Sequence, residues 1–172
     1  KAGESRDVEV NVITVEKDAK YEVKWSVNGS AVTVDGNGTK ATFTAVQGGT
    51  ATVTATVGDK SDSIVVNVNQ EITAMHFAQT EYTCYKKHKV DFSEELVKTP
   101  VNGNDPITYS VNNTKFATVD KNGVVTMKKK GPVVLTAATD LGIYAQTTIA
   151  VEDGIPTKKM HIETNSGKKK KN

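Results

Sequence analysis

Cysteine, proline, tryptophan and net charge are all scarce in this chain of 172 residues, and each scarcity excludes something. The single cysteine, Cys84, has no partner for an internal disulfide, so no crosslink staples the fold and the thiol is expected to serve as a small buried apolar group. Four prolines and no proline-rich run leave no stiff extended spacer. Twenty-two basic side chains against twenty acidic ones give a net charge of +2, too little field to gather nucleic acid. The one basic run, Lys168 to Lys171 beside Asn172, reads as a solvated end. No stretch approaches the ~18 apolar residues that a membrane-spanning helix needs, so no membrane insertion is expected. The first residues, Lys1-Ala2-Gly3-Glu4-Ser5-Arg6, hold no apolar signal core, and a start on Lys rather than Met is expected of a processed chain or a fragment.

What is present is repetition. Trp25-Ser26-Val27-Asn28, Val34-Asp35-Gly36-Asn37-Gly38 and Gly49-Thr50-Ala51-Thr52-Val53-Thr54-Ala55 are answered by Tyr109-Ser110-Val111-Asn112, Val119-Asp120-Lys121-Asn122-Gly123 and Gly131-Pro132-Val133-Val134-Leu135-Thr136-Ala137. The offsets are 84, 85 and 82 residues. A unit of that size exceeds the ~50-residue limit of solenoid repeats and suffices for a small domain. Two tandem domains are therefore expected, residues 1–69 and 70–153, with residues 154–172 as a tail or the start of a further unit.

Period-two alternation dominates inside each unit, as in Val8, Val10 and Val12 or Ala51, Val53, Ala55 and Val57, and no helical stripe competes with it. Strands are expected at 8–15, 21–26, 31–34, 40–45, 49–57 and 61–68. In the second unit they are expected at 75–77, 81–85, 89–92, 107–111, 116–119, 124–128, 131–140 and 143–151. Asn28-Gly29, Asn37-Gly38, Gly58-Asp59, Asn122-Gly123 and Leu141-Gly142 supply turns. Short strands with turns at regular spacing give an all-β fold. The seam at Val68-Asn69-Gln70-Glu71-Ile72 lacks proline and a glycine run, so a restricted angle between the units is expected.

These landmarks resemble the bacterial immunoglobulin-like domain of group 2. Trp25-Ser26, Val32-Thr33-Val34-Asp35, Asn37-Gly38 and the 49–55 strand carry the resemblance in the first unit; Ala117-Thr118-Val119-Asp120, Asn122-Gly123 and Thr136-Ala137 carry it in the second. The second unit departs from the pattern with Tyr109 for Trp and Lys128-Lys129-Lys130-Gly131-Pro132 for the small-residue turn. The resemblance implies two tandem Ig-like antiparallel β-sandwiches. Lys1-Ala2-Gly3-Glu4 is similar to the family's Val-Gly-Glu turn, which implies that the first unit starts one strand late, as a piece cut from a longer protein or with an edge completed by another chain; Lys86-Lys87-His88-Lys89 holds that place in the second. Lys159-Met160-His161-Ile162-Glu163-Thr164 repeats the pattern of Ala74-Met75-His76-Phe77-Ala78-Gln79, so residues 155–165 are expected to open a third unit or to donate a strand to a neighbouring chain.

Chemistry-bearing residues are dispersed. His76, His88 and His161 lack metal-ligand spacing with one another or with Cys84. Glu94-Glu95 are sequence neighbours that point to opposite faces of a strand, a poor acid/base dyad. No nucleophile elbow or phosphate-cradling loop occurs. Catalytic, cofactor-binding and metal residues are therefore each expected to be none, and the chain is expected not to be an enzyme. The resemblance leaves calcium as the one ion to consider, with Asp35, Asp59, Asp62, Asp120 and Asp140 as turn carboxylates. Trp25 and Tyr109 are expected to plug the cores.

The resemblance implies a non-catalytic structural or adhesive module of an extracellular bacterial surface assembly, an adhesin stalk or surface-layer protein. Its partners would be neighbouring Ig-like domains or copies of the same chain, with a surface protein or glycan as a possible ligand. Two alternatives stand beside it: a decoration or tail-associated domain of a phage virion, and a carbohydrate-binding accessory module of a secreted enzyme.

Overall fold

The computed structural model describes residues 1–14 and 20–154. Within them the fold is all-β: fifteen strands and no helix, arranged as Ig-like sandwiches around two separate apolar cores. In the first sandwich β1 (Ser5–Glu9), β4 (Lys40–Ala45) and β3 (Val32–Asn37) form one sheet in the order β1-β4-β3. The facing sheet has the order β2-β5-β6, from Lys24–Asn28, Gly49–Val57 and Lys60–Val68. In β5 the alternation sends Ala51, Val53 and Ala55 into the core and leaves the threonines between them outward. Gly58, at a φ of 59°, turns β5 into β6 where a side chain would be strained. Phe43 and Val53 anchor this core, with Trp25 edge-on to Phe43 at a ring separation of 6.0 Å.

The second sandwich uses more strands. A four-stranded sheet runs β11-β14-β15-β8, from Ile107–Val111, Gly131–Thr139, Tyr144–Glu152 and Glu81–Tyr85. Opposite it lies β12-β13-β9 (Ala117–Val119, Val124–Met127, Lys89–Asp91), with β10 (Leu96–Thr99) paired to β7 (Ala74–Phe77). Phe92 is fully buried at the centre, edge-on to Tyr82 at 5.0 Å and to Phe77 at 6.4 Å. The pairing is antiparallel except at β8, which runs parallel to β15 from Glu81 opposite Thr148 to Tyr85 opposite Glu152. The cores differ in size: fifteen buried residues cluster in the second against seven in the first.

Four strands depart from the sequence expectation, one of them β3, which runs on to Asn37 where 31–34 was expected. The first lies at Ser5–Glu9 rather than 8–15, because its hydrogen-bonding partner is the Lys40–Thr44 stretch of β4; the far end of the expected strand lies outside the described residues. The second starts at Lys24 rather than at 21. β10 was not foreseen: it follows the polar Ser93-Glu94-Glu95, and only Leu96 enters the core.

Candidate interaction site

Two surfaces stand out among the described residues. The first is the seam. Asn104 clasps the connection between the sandwiches: its side-chain oxygen accepts from the Gln70 amide (2.8 Å), its side-chain nitrogen donates to the Val68 carbonyl (2.9 Å), and its own amide donates to the Gln70 carbonyl (3.0 Å). The Asp105 carboxylate accepts from the Ile72 amide (2.6 Å). Gly48, in the first sandwich, lies so close to the 102–104 loop that an added Cβ would sit 2.3 Å from the Asn102 carbonyl oxygen and 2.6 Å from Gln70 Cβ. Lys1 reaches across to Glu71, and this ion pair raises the lysine's pKa. The connection is thus bonded from the 104–105 loop and contacted by Gly48.

The second surface is a slit along the first sandwich, about 450 Å³ in volume, between the edges of β1 and β6. Val8, Val32, Phe43, Val66 and Val68 give it an apolar floor, and Lys1, Glu4 and Arg6 stand on its rim. β6 is the edge strand of its sheet, and Ile64 and Val65 on it are 49% and 63% exposed. The matching strand of the second sandwich, β15, is flanked by β8 and keeps Ile149 and Val151 covered.

Residues singled out for chemistry lie apart. His76 is exposed on β7; His88 is exposed in a turn with its ring 6.3 Å from that of Tyr85; His161 lies outside the described residues. Cys84 is buried and free, and burial pushes its thiol pKa up. Glu95 accepts a hydrogen bond from the Tyr82 hydroxyl (2.9 Å), a structural bond at the edge of the core, while Glu94 is exposed. Asp120 accepts from the amides of Asn122 (2.9 Å) and Val124 (3.1 Å), Asp62 accepts from the Ser63 amide, Asp59 pairs with Lys60, and Asp35 and Asp140 are exposed. Among the described residues no three acidic, histidine or cysteine side chains converge as a metal site. Trp25 lies against Gly36 and Phe43 and donates its indole N–H to the Gly38 carbonyl (2.9 Å); Tyr109 lies against Gly123 in the corresponding place. Both are packed side chains rather than platforms for a sugar ring.

The model of the bacterial Ig-like domain (group 2) matches residues 1–68. Over that span the chain is similar to this family. The slit between β1 and β6 lies within the matched residues. No curated protein matches the chain. Among solved structures, domains 1–6 of the surface layer protein SbsC align at 19% identity and a TM-score of 0.41 over 83% of this chain and 21% of that one. This chain therefore spans about a fifth of that structure's length. A 282-residue C-terminal fragment of intimin, solved with the intimin-binding domain of its translocated receptor, aligns at 21% identity and 0.37 over 85% of this chain and 56% of that one. Chicken VE-cadherin EC1-2 aligns at 14% and 0.42 over 89% and 94%. At identities and TM-scores this low, these structures assign neither a partner nor a role.

The sequence drew attention to the seam through its composition and missed the grip of Asn104, because its partners lie some 35 positions away and leave no local pattern. It likewise gave no sign that β8 would run parallel to β15.

Proposed function

We propose that the chain is a non-catalytic structural and adhesive module of an extracellular bacterial surface assembly, a segment of an adhesin stalk or a surface-layer protein. It comprises two Ig-like domains, residues 1–69 and 70–153, followed by a tail. The observation that carries the reading is the seam: Asn104, Asp105 and Gly48 lock two sandwiches to one connection, an arrangement suited to holding distance and direction under load. The group 2 match over residues 1–68 and the dispersal of the titratable side chains support it. The partners on this reading are neighbouring Ig-like domains or further copies of the chain, engaged through sheet faces and edges.

Antibody raised against residues 1–154 and applied to intact cells of the source organism tests the assignment. Labelling of intact cells is the expected result, and labelling that appears only after lysis overturns it. Separate expression tests the domain boundaries: residues 70–153 alone are expected to melt cooperatively by circular dichroism, and a non-cooperative transition counts against the boundary at 69/70.

A further inference from the structure

One end of the second sandwich is built from three turns that hold seven of the nine lysines between residues 70 and 153. Backbone bonds gather these turns. The Lys87 amide donates to the Met127 carbonyl (2.9 Å), the Met127 amide to the His88 carbonyl (3.0 Å), and the Lys128 and Lys129 amides both to the Phe116 carbonyl (2.7 and 3.1 Å). Lys86 and Lys87, with Lys89 just beyond them, thus lie beside Lys128, Lys129 and Lys130, and Lys115 stands next to Phe116 in the third turn. All seven are exposed. Glu152 and Asp153, at the end of β15, pair with Lys130 and Lys86. The other five lysines have no ion pair among the described residues, and the end carries a formal +5, more than the +2 of the whole chain. Residues 155–172 hold six lysines against one glutamate, so their sequence brings no counter-charge.

The first sandwich has the same end without the charge. The Val46 and Gln47 amides share the Ala31 carbonyl (2.8 and 3.4 Å) as those of Lys128 and Lys129 share the carbonyl of Phe116, so Val46-Gln47-Gly48 is the counterpart of Lys128-Lys129-Lys130. Gly48 lies against the 102–104 loop with no room for a side chain, a contact that a lysine in its place cannot make. Lys87 stands where the first sandwich has Gly3, and among the described residues it is the one with positive φ (70°) that is not a glycine. A lysine is strained in the left-handed region, and strain kept where glycine serves elsewhere points to a side chain retained for what it binds.

Lysine also sets the chemistry of the partner. Its ammonium is a compact point charge, whereas the planar fork that grips a carboxylate with two bonds belongs to arginine, and the chain has only Arg6. Ammoniums spread over three exposed turns match single charges spaced along a flexible chain. No stack of aromatic side chains accompanies them among the described residues, as a grip on single-stranded nucleic acid requires. We propose that this end binds a linear phosphodiester polymer of the cell envelope, polyols or sugars joined through phosphates, with Lys87, Lys128 and Lys129 as central contacts. Each phosphate held releases a counterion, so the affinity falls as salt rises. This deepens the surface assignment above and rests on it.

Fluorescence anisotropy on the full chain tests it, with end-labelled poly(glycerol phosphate) as the probe. The background is Lys168→Gln/Lys169→Gln/Lys170→Gln/Lys171→Gln, which silences the terminal lysines. Binding is expected at about 50 mM salt and should weaken by about a hundredfold at about 200 mM, the loss that five phosphate contacts give on a single-stranded polyanion. Lys87→Gly/Lys128→Gln/Lys129→Gln is expected to cost about tenfold or more at the lower salt. Lys24→Gln/Lys40→Gln/Lys60→Gln, three exposed lysines of the first sandwich, should leave the affinity unchanged. Circular dichroism melting verifies that each variant is folded, and Lys87→Gly relieves backbone strain, so weaker binding there is not weaker folding. Absence of binding at the lower salt overturns the proposal, as do binding that survives the substitutions at this end and an equal loss in the first-sandwich variant. Single-stranded DNA or phosphatidylglycerol vesicles bound as tightly as the polymer overturn the choice of partner. Intact-cell labelling depends on none of these outcomes, so this inference and the surface assignment fail separately.

Discussion

Gly3 and Lys87 occupy the same turn in the two sandwiches. The Gly3 amide donates to the Ala45 carbonyl (2.8 Å) and the Lys87 amide to the Met127 carbonyl (2.9 Å). Before them the Ala2 amide donates to Asn69 and the Lys86 amide to Glu152; after them the Glu4 and His88 amides close on Lys1 and Tyr85. Both residues have positive φ, 87° and 70°, but only one is a glycine. A lysine in that region costs about 1 kcal/mol relative to glycine. Lys87→Gly is therefore expected to stabilise the protein by roughly that amount, and Gly3→Ala to destabilise the first sandwich by a similar amount. Urea unfolding of each variant reads both.

The two cores predict an order of melting. With a buried cluster of seven residues against one of fifteen among the described residues, the first sandwich is expected to unfold at a lower temperature than the second. Trp25, the chain's one tryptophan, reports on the first sandwich alone, and Cys84, its one cysteine, on the second. Tryptophan fluorescence should change at a lower temperature than that at which Cys84 becomes reactive to a thiol reagent. Coincident midpoints would mean that the seam couples the two into one transition.

Substitutions at the two core centres should separate in the same way. Phe92→Ala removes a ring packed against Phe77 and Tyr82 and is expected to cost ~3–5 kcal/mol, lowering the midpoint for Cys84 exposure. Tryptophan fluorescence should keep its parent midpoint.

Asn104→Ala leaves the Val68 carbonyl and the Gln70 amide without the bonds that side chain supplies, with an expected cost of ~1–3 kcal/mol. Calorimetry is expected to show the two transitions moving further apart, and limited proteolysis to cut near residues 69–71. Gly48→Val, which drives a branched side chain into the Asn102 carbonyl, should have the same effect from the other side.

Acid stability follows from three carboxyls held below their usual range. The Lys1 α-ammonium beside Glu4, the Lys86 ammonium beside Asp153, and the Ser93 hydroxyl and amide on Asp91 each favour the charged form. A depressed folded-state pKa gives stability that is present above the unfolded value and lost as pH falls through the folded one. The melting temperature should thus hold near neutrality and decline once pH drops below about 4, the ordinary carboxylate range. Lys86→Gln should flatten that decline by removing the charge that holds Asp153 down.

Much of the fold was legible because local pattern and tertiary role coincide in the long hairpins. In Thr50-Ala51-Thr52-Val53-Thr54-Ala55 the small apolar residues are the core residues, and Gly58 and Gly142 stand at the turns. Where long-range pairing decides, the signal fades. Val8, Val10 and Val12 alternate well past the point where β4 stops offering partners, so the first strand reads as later than it is. β10 exists because β7 lies beside it, and its own residues Leu96-Val97-Lys98-Thr99 show one buried position. At the slit, the sequence displayed the alternation of Ile64 to Val68 but not that the strand covering its counterpart would be the parallel β8.

Asn104 holds both sides of the connection through one carboxamide, so a sideways force on the first sandwich passes into the loop joining β10 to β11 instead of dissipating in a swivel. Part of the grip at the seam thus comes from a side chain that carries no charge and does not titrate, beside the Lys1–Glu71 ion pair and the Asp105 carboxylate, which do.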